Sequence, residues 1–89
     1  MTFSIAFIIL LMQHCSWYNP DIPVAVLPTI QYETIIEKIR PDFKNTLGFA
    51  YWANGIIKPE NCKIVLKDTS YLEIACHEYK HCDKGLWHD

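Results

Sequence analysis

Apolar residues follow different rhythms in different parts of the chain. Thr29 to Arg40 places Tyr32, Ile35, Ile36 and Ile39 at i, i+3, i+4 and i+7, with Glu33, Glu37 and Lys38 mostly opposite. That is the signature of a helix with one buried face, and Pro41 ends it. The runs Leu47 to Ala53 (LGFAYWA), Ile56-Ile57 and Cys62 to Leu66 (CKIVL) predict three short strands. Asn54-Gly55 suits a two-residue type I′ hairpin turn, and Pro59 to Asn61 supplies the next turn. Ser70 to Asp89 (SYLEIACHEYKHCDKGLWHD) predicts a second helix, opened by a Ser70/Glu73 capping box and stopped at Gly85, where a positive φ costs least. A small antiparallel sheet with the Thr29 helix and the Ser70 helix packed on it is an α+β domain.

Phe3 to Met12 (FSIAFIILLM) departs from these rhythms, being apolar almost throughout. As a helix it is too short to cross a bilayer, and it matches the apolar core of a secretory leader in length. Cys15 follows in LMQHC, which resembles a degenerate bacterial lipobox, a resemblance that implies lipidation of Cys15. The alternative is that Ile5 to Met12 is a buried strand or helix of the domain. Residues 16–28 (SWYNPDIPVAVLP) carry Pro20, Pro23 and Pro28, each removing a backbone donor, and read as an extended tether in which Val24 to Leu27 can add a short edge strand. The expected organisation is therefore a leader over 1–15, a tether over 16–28 and a domain over 29–89. Trp17 and Tyr18 suit either a bilayer interface or packing on the domain.

Length and charge narrow the choices. At 89 residues and 51% hydrophobic, the chain holds one domain at most, small enough to need a disulfide, a metal or a partner to stay folded. The formal net charge is -2, and the basic residues are scattered from Lys38 onward among acidic ones, which excludes a phosphate-tracking surface and with it nucleic acid as a partner.

Four cysteines are present. A strand from Cys62 to Leu66 runs about 13 Å and a helix from Ser70 to Cys82 returns about 18 Å, which brings Cys82 back near Cys62 and makes them candidate disulfide partners. Cys76 and Cys82 point in different directions from one helix and do not pair, leaving Cys76 as a buried thiol. Such a bridge goes with export to the envelope, whereas reduced cysteines and an ordered N-terminus would go with a cytoplasmic protein.

Candidate chemistry sits near the carboxyl end. His77, Glu78 and His81 spell HExxH, and three of the four histidines fall between His77 and Asp89. On a helix, residues four apart share a face, so His77 and His81 can offer two imidazoles to one metal ion with Glu78 beside them. The segment HEYKHCDKGLWH resembles the zincin metallopeptidases, with Gly85 and His88 each one residue later than in the metzincin pattern HExxHxxGxxH. With a cysteine after the second histidine, Gly-x-aromatic-His behind it and Cys62-Lys63-Ile64 before the helix, it is similar to small uncharacterised metallopeptidase-like proteins of bacteria and phages. That resemblance implies a minimal zincin-like domain with one zinc ion held by His77, His81 and His88, and Glu78 as general base for peptide-bond hydrolysis.

The chemistry of those residue types is consistent with these roles. Zinc with three protein ligands keeps a fourth position for water, from which an adjacent carboxylate can take a proton. Asp89 is either a hydrogen-bond partner of a ligand histidine or an alternative ligand, and Cys82 is a fourth ligand if it is not in a disulfide. Glu73 is expected to cap the helix rather than to ligate, while Tyr51, Tyr79 and Trp87 can line a cleft or stabilise an oxyanion, although aromatics at these spacings more often pack in the core. The expected partners are a peptide or protein substrate and a membrane, reached through the leader or a lipid. The competing expectation is a non-enzymatic, membrane-anchored envelope or phage lipoprotein, in which zinc is structural and the surface binds a protein. An open water position favours hydrolysis; four protein ligands favour a structural site.

Overall fold

In Cys62–Lys67, the central strand, Cys62, Ile64 and Leu66 are buried on one face while Val65 lies between buried and exposed on the other, and both faces are covered by helices. The structure, a computed structural model, describes residues 4–39, 41–43 and 46–85. Its elements are α1 (Ile5–His14), β1 (Val24–Leu27), α2 (Thr29–Ile39), β2 (Gly48–Trp52), β3 (Cys62–Lys67) and α3 (Leu72–Lys84), joined in places by short 3-10 turns. The sheet has the order β1-β3-β2. β2 pairs antiparallel with β3, from Gly48 opposite Leu66 to Trp52 opposite Cys62. β1 pairs parallel with it, Val24 beside Ile64 and Leu27 beside Lys67.

This is the expected α+β class with a different sheet. Asn54 and Gly55 both take positive φ, 59° and 70°, as a type I′ turn requires, yet Ile56-Ile57 does not return as a strand. Pro59, which lacks a donor, opens a 3-10 turn, and β3 becomes the partner of β2 across the longer loop. The third strand comes instead from Val24–Leu27, so the sheet is mixed rather than antiparallel.

The main core lies between the sheet and the pair α1 and α3. It joins Leu11 and Cys15 to Ile22, Cys62, Ile64, Leu66, Ala75, Tyr79 and Cys82. Gly48 lets α3 come close to β2: a Cβ there would stand 2.5 Å from Leu66 Cδ2 and 3.5 Å from Ile74 Cγ2. On the opposite face α2 buries Tyr32 and Ile36, and Tyr32 packs against Phe49 with ring centroids 6.0 Å apart. Lys67 Nζ lies 5.2 Å from the Tyr32 ring centre and 3.3 Å from Glu33 Oε1, which gives a buried cation both a ring face and a carboxylate.

The first fifteen residues, expected as a leader, contain a helix that packs on the domain. Ser4 caps it by accepting from the Phe7 N–H at 3.1 Å, and Leu11 is fully buried. Cys15, the lipidation candidate, is instead disulfide-bonded to Cys76, which corrects the expectation of a buried Cys76 thiol. One sulfur does not carry both a disulfide and a lipid thioether. The second disulfide joins Cys62 to Cys82, the pair named from strand and helix lengths, with Cα atoms 5.4 Å apart.

The crosslinks close segments of 61 and 20 residues. Chain-entropy arithmetic gives about 4 kcal/mol for the longer and about 3 kcal/mol for the shorter. Replacing Cys15 and Cys76 together by Ala is expected to lower the unfolding free energy by about 2–4 kcal/mol and leave Cys62–Cys82 formed, as read by urea denaturation of the non-reduced variant.

Candidate functional site

The HExxH segment occupies the second half of α3, where helical spacing distributes its residues over several faces. Ala75, Glu78, Tyr79 and Cys82 are buried, whereas His77 and His81 are half-buried. The helix begins differently from expectation. Its N-cap is Tyr71, without a side-chain cap, because the Ser70 hydroxyl donates to the Leu47 carbonyl and Glu73 remains exposed. Gly85 ends the helix at φ 75° and ψ −139°, and its N–H donates to the His81 carbonyl at 2.7 Å.

His77 and His81 come together as the spacing demands. Their ring centroids are 4.7 Å apart, edge to face, and their Nε2 atoms are 3.2 Å apart. The Nδ1 of His81 lies 2.9 Å from the Gly85 carbonyl. A carbonyl only accepts, so Nδ1 of His81 carries a proton. In the neutral pair this leaves Nε2 of His81 as an acceptor and makes Nε2–H of His77 the donor to it.

Glu78 is turned into the domain. It is 7% exposed, and burial pushes its carboxyl up to about 7. Burial also raises the Tyr32 hydroxyl; its hydrogen bond with Thr46 acts in the opposite sense, and the charge of Glu78 adds a smaller upward push. Tyr79 is raised by burial first and by neighbouring Tyr18 second, and the two rings meet edge-on at 5.3 Å. Tyr79 therefore belongs to the core, as expected, whereas Tyr51 is exposed on β2.

Beside the histidines, a groove runs between α1 and α3, lined among others by Leu10, His14, Trp17, Cys76, His77 and Lys80. Neither Glu78 nor His81 lines it. Among the described residues, no group of three or more His, Cys, Asp or Glu side chains is placed to hold a metal ion. This corrects the reading of the chain as a zinc-binding metallopeptidase: the two imidazoles meet, and among the described residues no further ligand joins them. Cys82, a candidate ligand, is committed to Cys62. His88, Asp89 and Trp87 lie outside the described residues.

Two features escaped the sequence. The Cys15–Cys76 bridge had a signal in the even number of cysteines, but the apolar stretch before Cys15 gave that residue another reading. The other is an apolar groove of about 440 Å³ on the α2 face of the sheet, lined by Leu27, Ile35, Ile39, Phe49, Tyr51 and Val65. It lies beside β2, an edge strand. The Lys67 N–H donates to the Leu47 carbonyl at 2.9 Å, so in the antiparallel register Phe49 and Tyr51 turn their backbone groups toward β3. The N–H and C=O groups of Gly48, Ala50 and Trp52 then face the outer edge, with no strand beyond β2 among the described residues.

Comparison with protein-family models, with curated proteins and with solved structures found no match in any of the three.

The buried carboxyl makes stability depend on pH. The folded-state value of Glu78 lies above its ordinary 4.5, so its contribution is complete below that pH and is lost as pH rises through about 7. The loss amounts to roughly 3 kcal/mol. Glu78→Gln, which cannot ionise, is expected to flatten that decline in denaturation curves taken between about pH 4.5 and pH 8.

Proposed function

We propose that the chain is an exported, disulfide-stapled binding domain, and that it takes an extended segment of a partner protein along the open edge of β2. The observation that carries this reading is the outward row of backbone groups at Ala50 and Trp52, beyond the buried Gly48, beside the apolar groove. An added strand supplies backbone partners for such an edge and places alternate side chains on the groove side, so the main chain gives affinity and the groove gives selectivity. Ile39 and Tyr51, both exposed, form the rim that those side chains would cover. Two disulfides among four cysteines favour an oxidising compartment and hence export. In this reading His77 and His81 lock the end of α3 through the Gly85 carbonyl, and Glu78 is a buried structural carboxyl.

The test is titration of isotope-labelled protein with a synthetic eight-residue peptide of alternating Val and Thr, compared with the same peptide N-methylated at alternate amides. Saturable shifts centred on the amides of Ala50 and Trp52, abolished by N-methylation in the binding register and unchanged by Glu78→Gln, are expected. No saturable shift at β2 would overturn the proposal. So would one tightly bound metal ion per chain together with peptidase activity lost in Glu78→Gln.

A further inference from the structure

A separate surface lies on the other side of the sheet, and from it we infer that α1 docks the domain on an anionic lipid bilayer. From Ile5 to His14 the helix reads IAFIILLMQH, without an acidic residue and without Lys or Arg. Leu11 is fully buried and Phe7 packs against the core, which turns the opposite side outward. Ile5, Ile9 and Met12, at i, i+4 and i+7, are 77%, 48% and 66% exposed, and Leu10 beside them is 43% exposed. An apolar strip of this kind on a small domain marks a surface that something covers.

The chemistry at the end of the strip says what covers it. Trp17 follows α1 closely, and Lys80 Nζ and Lys84 Nζ lie 5.7 Å and 5.2 Å from its ring centre. Aliphatic side chains, an indole and ammonium groups gathered on one side of the domain are the residue types that contact a bilayer's acyl boundary, interface and phosphates. Lysine stems can lie along the ring while their charged ends reach the headgroups. Glu73 lines the same groove and Asp83 lies 3.8 Å from Lys84 Nζ, so the formal charges here balance, and the preference for anionic lipid rests on the longer reach of the lysine stems.

Length decides the orientation. Ten helical residues extend about 15 Å, roughly half of a bilayer's hydrocarbon thickness, so α1 lies along the surface. No helix among the described residues is long and apolar enough to cross a membrane. The Cys15–Cys76 bridge ties the end of α1 to α3, which carries Lys80 and Lys84, so strip and cations stay in register when the surface is engaged.

The experiment floats the full chain, with both disulfides formed, on vesicles of phosphatidylcholine alone or with phosphatidylglycerol added. Flotation with the anionic vesicles is expected, falling about tenfold or more when Ile9→Asp and Met12→Asp are combined. Lys80→Gln and Lys84→Gln should each lower it about fivefold, with no effect on the weaker binding to neutral vesicles. Thermal melts of these exposed-site variants should match the parent; if the double variant melts early, Ile5→Asp at the most exposed position serves instead and should lower flotation in the same direction. Equal flotation of a folded Asp variant and the parent, or no flotation with either vesicle, would overturn the inference. Dimerisation without lipid that depends on Ile9 and Met12, read by sedimentation velocity, would overturn it in favour of a second copy of the chain.

Discussion

Helix α3 is crosslinked twice, and the arrangement of the other elements depends on that. Cys76 and Cys82 are six positions apart, about 240° around a helix, so their sulfurs leave α3 in different directions. One reaches Cys15 at the end of α1, and the other reaches Cys62 at the start of β3. Between them Ala75 and Tyr79 fill the core against Ile64 and Leu66. A chain of this size buries too little surface for packing alone to hold it with much margin, and the two crosslinks supply what a larger core would.

The same helix explains how the residues of HExxH are distributed over its faces. Helical spacing brings His77 and His81 within contact whatever their role, because residues four apart share a face. Glu78, the next residue, points about 100° away from His77, and in this domain that direction is inward. Burial disfavours the charged form of this carboxyl and pushes it up to about 7. Among the described residues the imidazole pair is not part of a group of three or more metal-ligating side chains, and His81 also meets the carbonyl of Gly85, the residue that ends the helix.

Much of the architecture was legible where the signal is local. The spacing of Tyr32, Ile35, Ile36 and Ile39 marked α2, Asn54-Gly55 marked a turn with positive φ at both positions, and Gly85 marked the end of α3. Strand and helix lengths were enough to bring Cys62 near Cys82. Features set by distant partners were not legible. Val24–Leu27 was readable as a short edge strand, but its parallel pairing with β3 was not, because segments so far apart in the chain leave no hairpin signature. Ser70 looked like a cap because the capping box is a sequence pattern, but the Leu47 carbonyl, distant in sequence, claimed its hydroxyl. The apolar run before Cys15 was ambiguous by composition alone; the structure packs it as a helix through Leu11 and ties its end to Cys76. For the candidate site, the contact of His77 with His81 was foreseeable, and the inward direction of Glu78 was not, since it depends on which face of α3 the sheet accepts.

The double crosslink is directly measurable by tryptic mapping of the non-reduced protein. Because the first Lys is Lys38 and Lys63, Lys67, Lys80 and Lys84 separate the remaining cysteines, all four fall on different peptides. Mass spectrometry should find the Cys15 peptide linked to that of Cys76 and the Cys62 peptide linked to that of Cys82, with no alkylated thiol. An alkylated Cys15 or Cys76, or a bond from Cys76 to Cys62, would contradict the central claim.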